Sequence, residues 1–353
     1  MILHNKPTIG QGEIDAVVDV LKSNWVAQGP KVQEFEKNFS KLYKLPIGNS
    51  VAVSSGTAAL FVGLKVLGVG AGDEVILPTY ACSAILNAIF MAGAKPILTD
   101  ISLIDFNPTV IDIFKKINKK TKAIIITHTF GFPFDTRELT AKTEIPIIED
   151  CATALGSRIG NNPVGTFGSL AIFSFYASKI ITTGYGGIIA FEDKSVAKSA
   201  RDFRDFDGVE KYYPRFNFQM SDMSAAMGIK QLERLKELLN IRKKIADLYN
   251  GAIMGKIDQQ SILYSECYPN YYRFVLKFSS STKRNRAKAF LLKKEIKTII
   301  PIENWELLHN YLKMPKTDFK NAELISSTTL SIPIYPSLKN KEVILIIKAL
   351  KEI

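Results

Sequence analysis

Cysteine is scarce in this 353-residue chain: Cys82, Cys151 and Cys267 are far apart and form no CxxC pair. Their spacing argues against a disulfide framework or a structural zinc site, so no metal is expected and a reducing cytosol fits. Apolar runs are short as well. AILNAIFMAGA and SLAIFSFYAS are among the most apolar stretches and are too short to span a bilayer, so no membrane partner is expected. The opening residues MILHNKPTIG carry neither a charged n-region nor an apolar h-region. No signal peptide is therefore expected, and the expected location is cytoplasmic. Neither GxxxxGKS/T nor a GxGxxG between strand and helix is present. That disfavours a P-loop nucleotidase and a nicotinamide-binding Rossmann enzyme. Internal repeats, low-complexity tracts and Pro/Gly-rich linkers are absent too.

Charge of one sign is abundant, at a formal net +12. The lysines are scattered, as in KKINKK (115–120), RKK (242–244) and KRNRAK (283–288), with few aromatics between them. No nucleic-acid motif accompanies them, so a Lys-rich solvated surface is the reading, and no nucleic-acid partner is expected. An anionic substrate is compatible with the same charge. Apolar residues at 46% and charged residues at 23% match an ordinary soluble enzyme. The length suffices for one large domain and a smaller one, each with a core.

Apolar residues at three- and four-residue spacing predict amphipathic helices over 11–22 and 31–43. Short β-rich runs follow at 51–53, 74–78, 95–99, 122–127 and 145–150, separated by helical patterns at 57–68 and 83–93. The strand runs show little alternation, as expected when a mostly parallel sheet is buried on both faces. This βαβ rhythm predicts an α/β fold with a mostly parallel central sheet sandwiched by helices. A helical pattern runs from about 222 to 250, followed by a strand-like stretch (271–279), a helix around 283–297 and a closing helix. The expected domains are thus residues 1–250, large and α/β, and residues 251–353, small and α+β.

Three segments carry chemistry. Ser54-Ser55-Gly56-Thr57 links a strand to an apolar helix, and a small-residue turn there presents free N–H groups to an anion such as phosphate. Taken alone, an ordinary helix cap explains it as well. Asp150 ends the run IPIIED, at the strand edge where open α/β sheets bind ligands. Glu149 should face the other way. Lys179 follows a strand-like run in FSFYASKIITTGYGG, ahead of a glycine-rich stretch that permits close backbone approach. A desolvated lysine can form a Schiff base with an aldehyde, and an ionised Asp keeps a pyridine nitrogen protonated. Together these residue types point to pyridoxal 5′-phosphate (PLP).

The ordered series SGTAAL (55–60), GDEVILP (72–78), IEDCATALG (148–156), FSFYASK (173–179), YGG (185–187), FNFQMSDMSAAMGIKQLERL (216–235) and LSIPIYPSL (330–338) resembles the DegT–DnrJ–StrS family of PLP-dependent sugar aminotransferases. The resemblance covers nearly the whole chain and implies the PLP-dependent aminotransferase fold type I. It also implies roles. Lys179 would carry the cofactor as a Schiff base, and Asp150 would face the pyridine nitrogen. Ser55, Gly56 and Thr57 would hold the phosphate, with Ser174 adding to it. Asn217 would reach the phosphate of the neighbouring subunit, which implies a homodimer with shared active sites.

Several positions depart from the family pattern. Thr153 replaces a glutamine beside the cofactor ring, and Cys82 falls where an aromatic usually stacks, with Tyr80 nearby. Gln219 replaces an arginine, and Tyr185 an acidic residue. His128, at a strand end, and His309, in a weakly matching C-terminal segment, each read as substrate neighbours or as structural histidines.

The resemblance implies transamination from glutamate or glutamine to a nucleotide-linked keto-sugar, serving polysaccharide or secondary-metabolite amino-sugar synthesis. A cyclitol or a small phosphorylated ketone is an alternative acceptor. Lys179 argues against the related dehydratases, in which histidine is expected at that position. A regulatory or binding protein on the same fold is the remaining alternative.

Overall fold

The computed structural model describes residues 1–208, 210, 212–261 and 265–353. Seven strands build its central sheet: β1 (Ser50–Val53), β2 (Glu74–Pro78), β3 (Lys95–Thr99), β4 (Thr121–Thr127), β5 (Ile147–Asp150), β6 (Leu170–Ser174) and β7 (Gly187–Phe191). Their order across the sheet is β1-β7-β6-β5-β4-β2-β3. β7 runs antiparallel to both of its neighbours, and the other pairings are parallel. Asp150 pairs with Thr127 on one side and Ile172 on the other, so the strand ends of β4, β5 and β6 share one edge.

The helices lie on both faces. They include α1 (Gln11–Ser23), α2 (Pro30–Leu42), α3 (Gly56–Val66), α4 (Ala84–Ala92), α5 (Val110–Phe114), α6 (Arg137–Lys142), α7 (Lys194–Arg204), α8 (Asp222–Glu233) and α9 (Leu235–Ile253); α10 (Ser281–Lys293) follows in the chain but packs elsewhere. Neighbouring strand residues feed opposite cores: Leu170 and Ile172 pack with α3 and α4, whereas Ala171 and Phe173 pack with α2, α8 and α9. Both faces being dry explains why the strands read as unbroken apolar runs.

The helical pattern expected over 222–250 is divided at Arg234 (φ −92°, ψ −3°) into α8 and α9. Gln231 and Arg234 both reach the buried carboxylate of Glu13 on α1, at 2.6 and 2.8 Å, which ties the break to the helix beneath it.

A second sheet, β8 (Asp258–Gln259), β9 (Phe274–Lys277) and β10 (Thr329–Ile332), packs with α10 and the closing helix Asn340–Lys351. Its core also takes Ile245, Ala246 and Tyr249 from α9 and Ile2 from the amino terminus. The two cores therefore meet within α9 rather than at a linker.

Candidate active site

Lys179 sits in the loop that reverses the chain between β6 and β7. Its own N–H donates to Tyr176 O at 2.9 Å, and Thr183 N–H returns to Phe175 O at 3.0 Å. From outside, Gln231 Oε1 accepts Thr182 N–H at 3.2 Å, and Asn5 donates to Ser178 O at 2.9 Å. The loop is thus fixed from two sides, and the Lys179 ammonium lies 5.4 Å from the centre of the half-buried Tyr272 ring.

Across from it, the chain leaves β1 and starts α3. Ser55 caps that helix by accepting Ala58 N–H at 3.0 Å, so the N–H groups of Gly56 and Thr57 head the helix dipole. Glycine is required in two places here. A Cβ on Gly56 would meet Ser174 Cβ at 2.8 Å, and one on Gly187 would meet Ser55 O at 2.4 Å. The start of α3, the end of β6 and the start of β7 are therefore in backbone-level contact.

Two cavities meet at this point. One, about 270 Å³, is lined by Ser55, Gly56, Thr57, Ser174, Tyr176 and Tyr185. The other, about 260 Å³, is lined by Tyr80, Thr153, Tyr272, Arg273 and Glu306. Cys82, Asp150, Ala152 and Lys179 belong to both. A phosphate-sized cradle of N–H and hydroxyl groups at one end, and a lysine facing a buried carboxyl in the middle, fit PLP.

Of the residues expected from sequence, Ser55, Gly56, Thr57, Cys82, Asp150, Thr153, Ser174 and Lys179 come together here. Thr153 donates its hydroxyl to His128 O at 3.2 Å. Asn217 does not join them. It is exposed, accepts Gln219 N–H at 3.0 Å and lines neither cavity. Gln219 donates to Asp205 at 3.1 Å, and Tyr185 stands 69% exposed at the rim.

Burial pushes the Asp150 carboxyl above the ordinary carboxylate range, opposed by the Ala152 N–H (2.9 Å) and the charge of Lys179. A cation placed against Asp150 would favour its ionised form. Burial would also raise the Tyr272 phenol, but Lys179 and Arg273 outweigh it and bring the phenol down to about 8.

The remaining polar groups nearby are structural. Glu149 faces away from Asp150 and accepts N–H groups from Gly165, Phe167 and Gly168 at 2.8, 2.7 and 2.6 Å. His128 Nδ1 accepts Phe134 N–H at 3.0 Å, which leaves Nε2–H to donate to Glu149, also at 3.0 Å. His309 is fully buried between Thr79 (2.8 Å) and Glu323 (3.0 Å) and stacks on Phe319. Neither histidine lines the cavities.

Tyr272 and Arg273 are the site residues that sequence reasoning missed. Their one signal was a tyrosine–arginine pair at the start of an otherwise apolar strand. Asn270 seats them: its side chain donates to Thr153 O and Leu155 O, both at 3.0 Å, and accepts Tyr272 N–H at 2.8 Å.

A sequence profile of the DegT/DnrJ/EryC1/StrS aminotransferase family matches residues 7–351. GDP-perosamine synthase of Escherichia coli O157:H7 is 32% identical over 362 residues, spanning 98% of this chain and 97% of its own. The spore coat polysaccharide biosynthesis protein SpsC of Bacillus subtilis is 31% identical over 379 residues, with 99% and 96% covered. The crystal structure of the aminotransferase TlmJ from Streptoalloteichus hindustanus is similar at a TM-score of 0.92 and 28% identity, covering 100% of this chain and 98% of that one. Spr1654 from Streptococcus pneumoniae in its PLP form gives a TM-score of 0.91 at 28% identity, with 99% and 98% covered.

Proposed function

The chain belongs to the DegT/DnrJ/EryC1/StrS aminotransferase family, and from that premise we propose that it moves an amino group from glutamate or glutamine to a nucleotide-linked keto-sugar. It is a sugar aminotransferase with PLP as cofactor. The donor, the nucleotide and the residue roles are our reading. One observation carries it: Lys179 and Asp150 sit together where two cavities meet, with the Ser55–Thr57 helix start at the far end of one. Products of this kind feed polysaccharide or other amino-sugar synthesis. Cys82 and Cys151 form no disulfide, which suits a cytoplasmic setting.

In this reading Lys179 holds the cofactor covalently and Asp150 opposes its pyridine nitrogen. The N–H groups of Gly56 and Thr57, with the hydroxyls of Ser55, Thr57 and Ser174, hold its phosphate. Cys82 and Thr153 border the ring. Bound there, PLP supplies an electron sink for a carbanion. The chain supplies proton transfer and position. Lys179 Nζ, once released, takes the proton from the donor's Cα and later returns one to the acceptor carbon. Asp150, ionised, would keep the pyridine nitrogen protonated and so sustain the cofactor's capacity as an electron sink. Asn217 serves the partner subunit's phosphate site in a homodimer.

The test is an absorption spectrum of protein given PLP, beside Lys179→Ala. A band near roughly 410–430 nm in wild type only, lost on adding glutamate, is expected. Transfer of the amine to a nucleotide-linked keto-sugar, but not to a cyclitol or small phosphorylated ketone, would complete the case. A band that forms without Lys179 would sink the assigned roles.

A further inference from the structure

Arg273 is a cation held in place without an anion. Its guanidinium carbon lies over the Phe130 ring at 5.2 Å and over the Tyr272 ring at 5.5 Å. Phe130 reaches that position from a left-handed backbone (φ 56°, ψ 23°), a conformation that costs a bulky residue energy and persists only where its surroundings impose it. The rings offer π-faces to the guanidinium and leave its in-plane N–H groups unused. Among the described residues, Nε and Nη1 are buried and have no hydrogen-bond partner. A guanidinium with buried, unbonded N–H groups is unfavourable unless something fills them.

The surroundings indicate what would fill them. Arg273 lines the cavity with Lys179 and Asp150, and Tyr272 is the ring that both cations face. Two acids share that cavity: Asp150, whose Oδ1 accepts Ala152 N–H, and Glu306, whose Oε2 accepts Glu303 N–H at 2.8 Å. Neither is ion-paired with Arg273, and His4, which burial and the Arg273 charge keep neutral, provides no anion. The unbonded N–H groups therefore point to a ligand oxyanion, to which a guanidinium donates charge-assisted hydrogen bonds.

We propose that Arg273 anchors the anionic end of a substrate, a carboxylate or phosphate group, in the cavity beside Lys179. This rests on the reading of that cavity as the transamination site. A carboxylate would come from the amino donor, and a phosphate from the nucleotide-linked acceptor. In the first case Arg273 orients the donor's Cα toward Lys179 Nζ; in the second it fixes the sugar's keto carbon there.

The experiment is calorimetric binding of glutarate and of uridine diphosphate to PLP-loaded wild type, Arg273→Gln and Arg273→Lys. For one probe, R273Q should weaken binding about tenfold or more, with partial recovery in R273K. Selective loss of glutarate identifies the donor carboxylate, and selective loss of uridine diphosphate identifies the acceptor phosphate. Unchanged binding of both probes by R273Q, or no binding of either by wild type, overturns the proposal. The Lys179-dependent absorption band is read on the same samples. If it is present in R273Q, that variant is folded and loaded. Its absence from wild type would strike at the transamination reading and not at Arg273 alone.

Discussion

Burial holds the Asp150 carboxyl above the ordinary carboxylate range, with the Ala152 N–H and Lys179 pulling it back. Because the folded-state value exceeds that of the unfolded chain, about 3.9, stability is unaffected below the unfolded value. It falls as pH rises from there toward the folded value. In cofactor-free protein, Asp150→Asn should therefore unfold at higher urea than wild type at pH 7, with the gap narrowing toward pH 4. A variant less stable than wild type at pH 7 would mean that Lys179 already pairs the ionised carboxylate well. Asp150 and Lys179 were legible because one ends a strand and the other lies in the sharply turning chain that follows one. Arg273 was not, since nothing local to YYRF tells of Phe130 or of a cavity. Only the tertiary fold brings those rings to the guanidinium.

Helix α2 begins with its N–H groups aimed at another element. Asp222, the first residue of α8, accepts Gly29 N–H at 2.8 Å, Val32 N–H at 3.0 Å and Lys31 N–H at 3.1 Å. One buried carboxylate thus caps α2 from outside and ties its start to α8. Asp222→Ala should cost about 2–4 kcal/mol in a urea titration, because three helix N–H groups lose a charged acceptor. Asp222→Asn, which keeps one acceptor oxygen, should cost about half as much. A loss below about 1 kcal/mol in D222A would show that water replaces the carboxylate. Element types and strand limits were largely legible from apolar runs, as in β2 and β3. The reversed direction of β7 was not, because an apolar strand buried on both faces reads the same in either sense. Nor did the break at Arg234 show, since the pattern of apolar residues continues through it.

On the scale of the whole molecule, Asn217 lies outside both cavities of its own chain, which is what a residue serving a partner's site would do. Separately purified Lys179→Ala and Asn217→Ala proteins, each of low activity, should regain about a quarter of wild-type turnover on mixing and exchange. Half of the random dimers then carry one intact site. No recovery, with exchange verified by tag pull-down, would confine Asn217 to its own chain. The division into two domains was expected near residue 250, and we keep it as a proposal. The core of the second unit reaches back to Ile245 and to Ile2, contacts that no local pattern announces. The placement of β1 has a consequence for synthesis. This edge strand pairs with β7 alone, Val51 opposite Ile189. During translation at about 5–20 residues per second, β1 must wait on the order of ten seconds for its partner to be made. Until then its amide edge and the apolar sides of α2 and α3 remain open to other chains. Yield on overexpression should thus depend on how well chaperones cover the nascent amino-terminal segment during that interval.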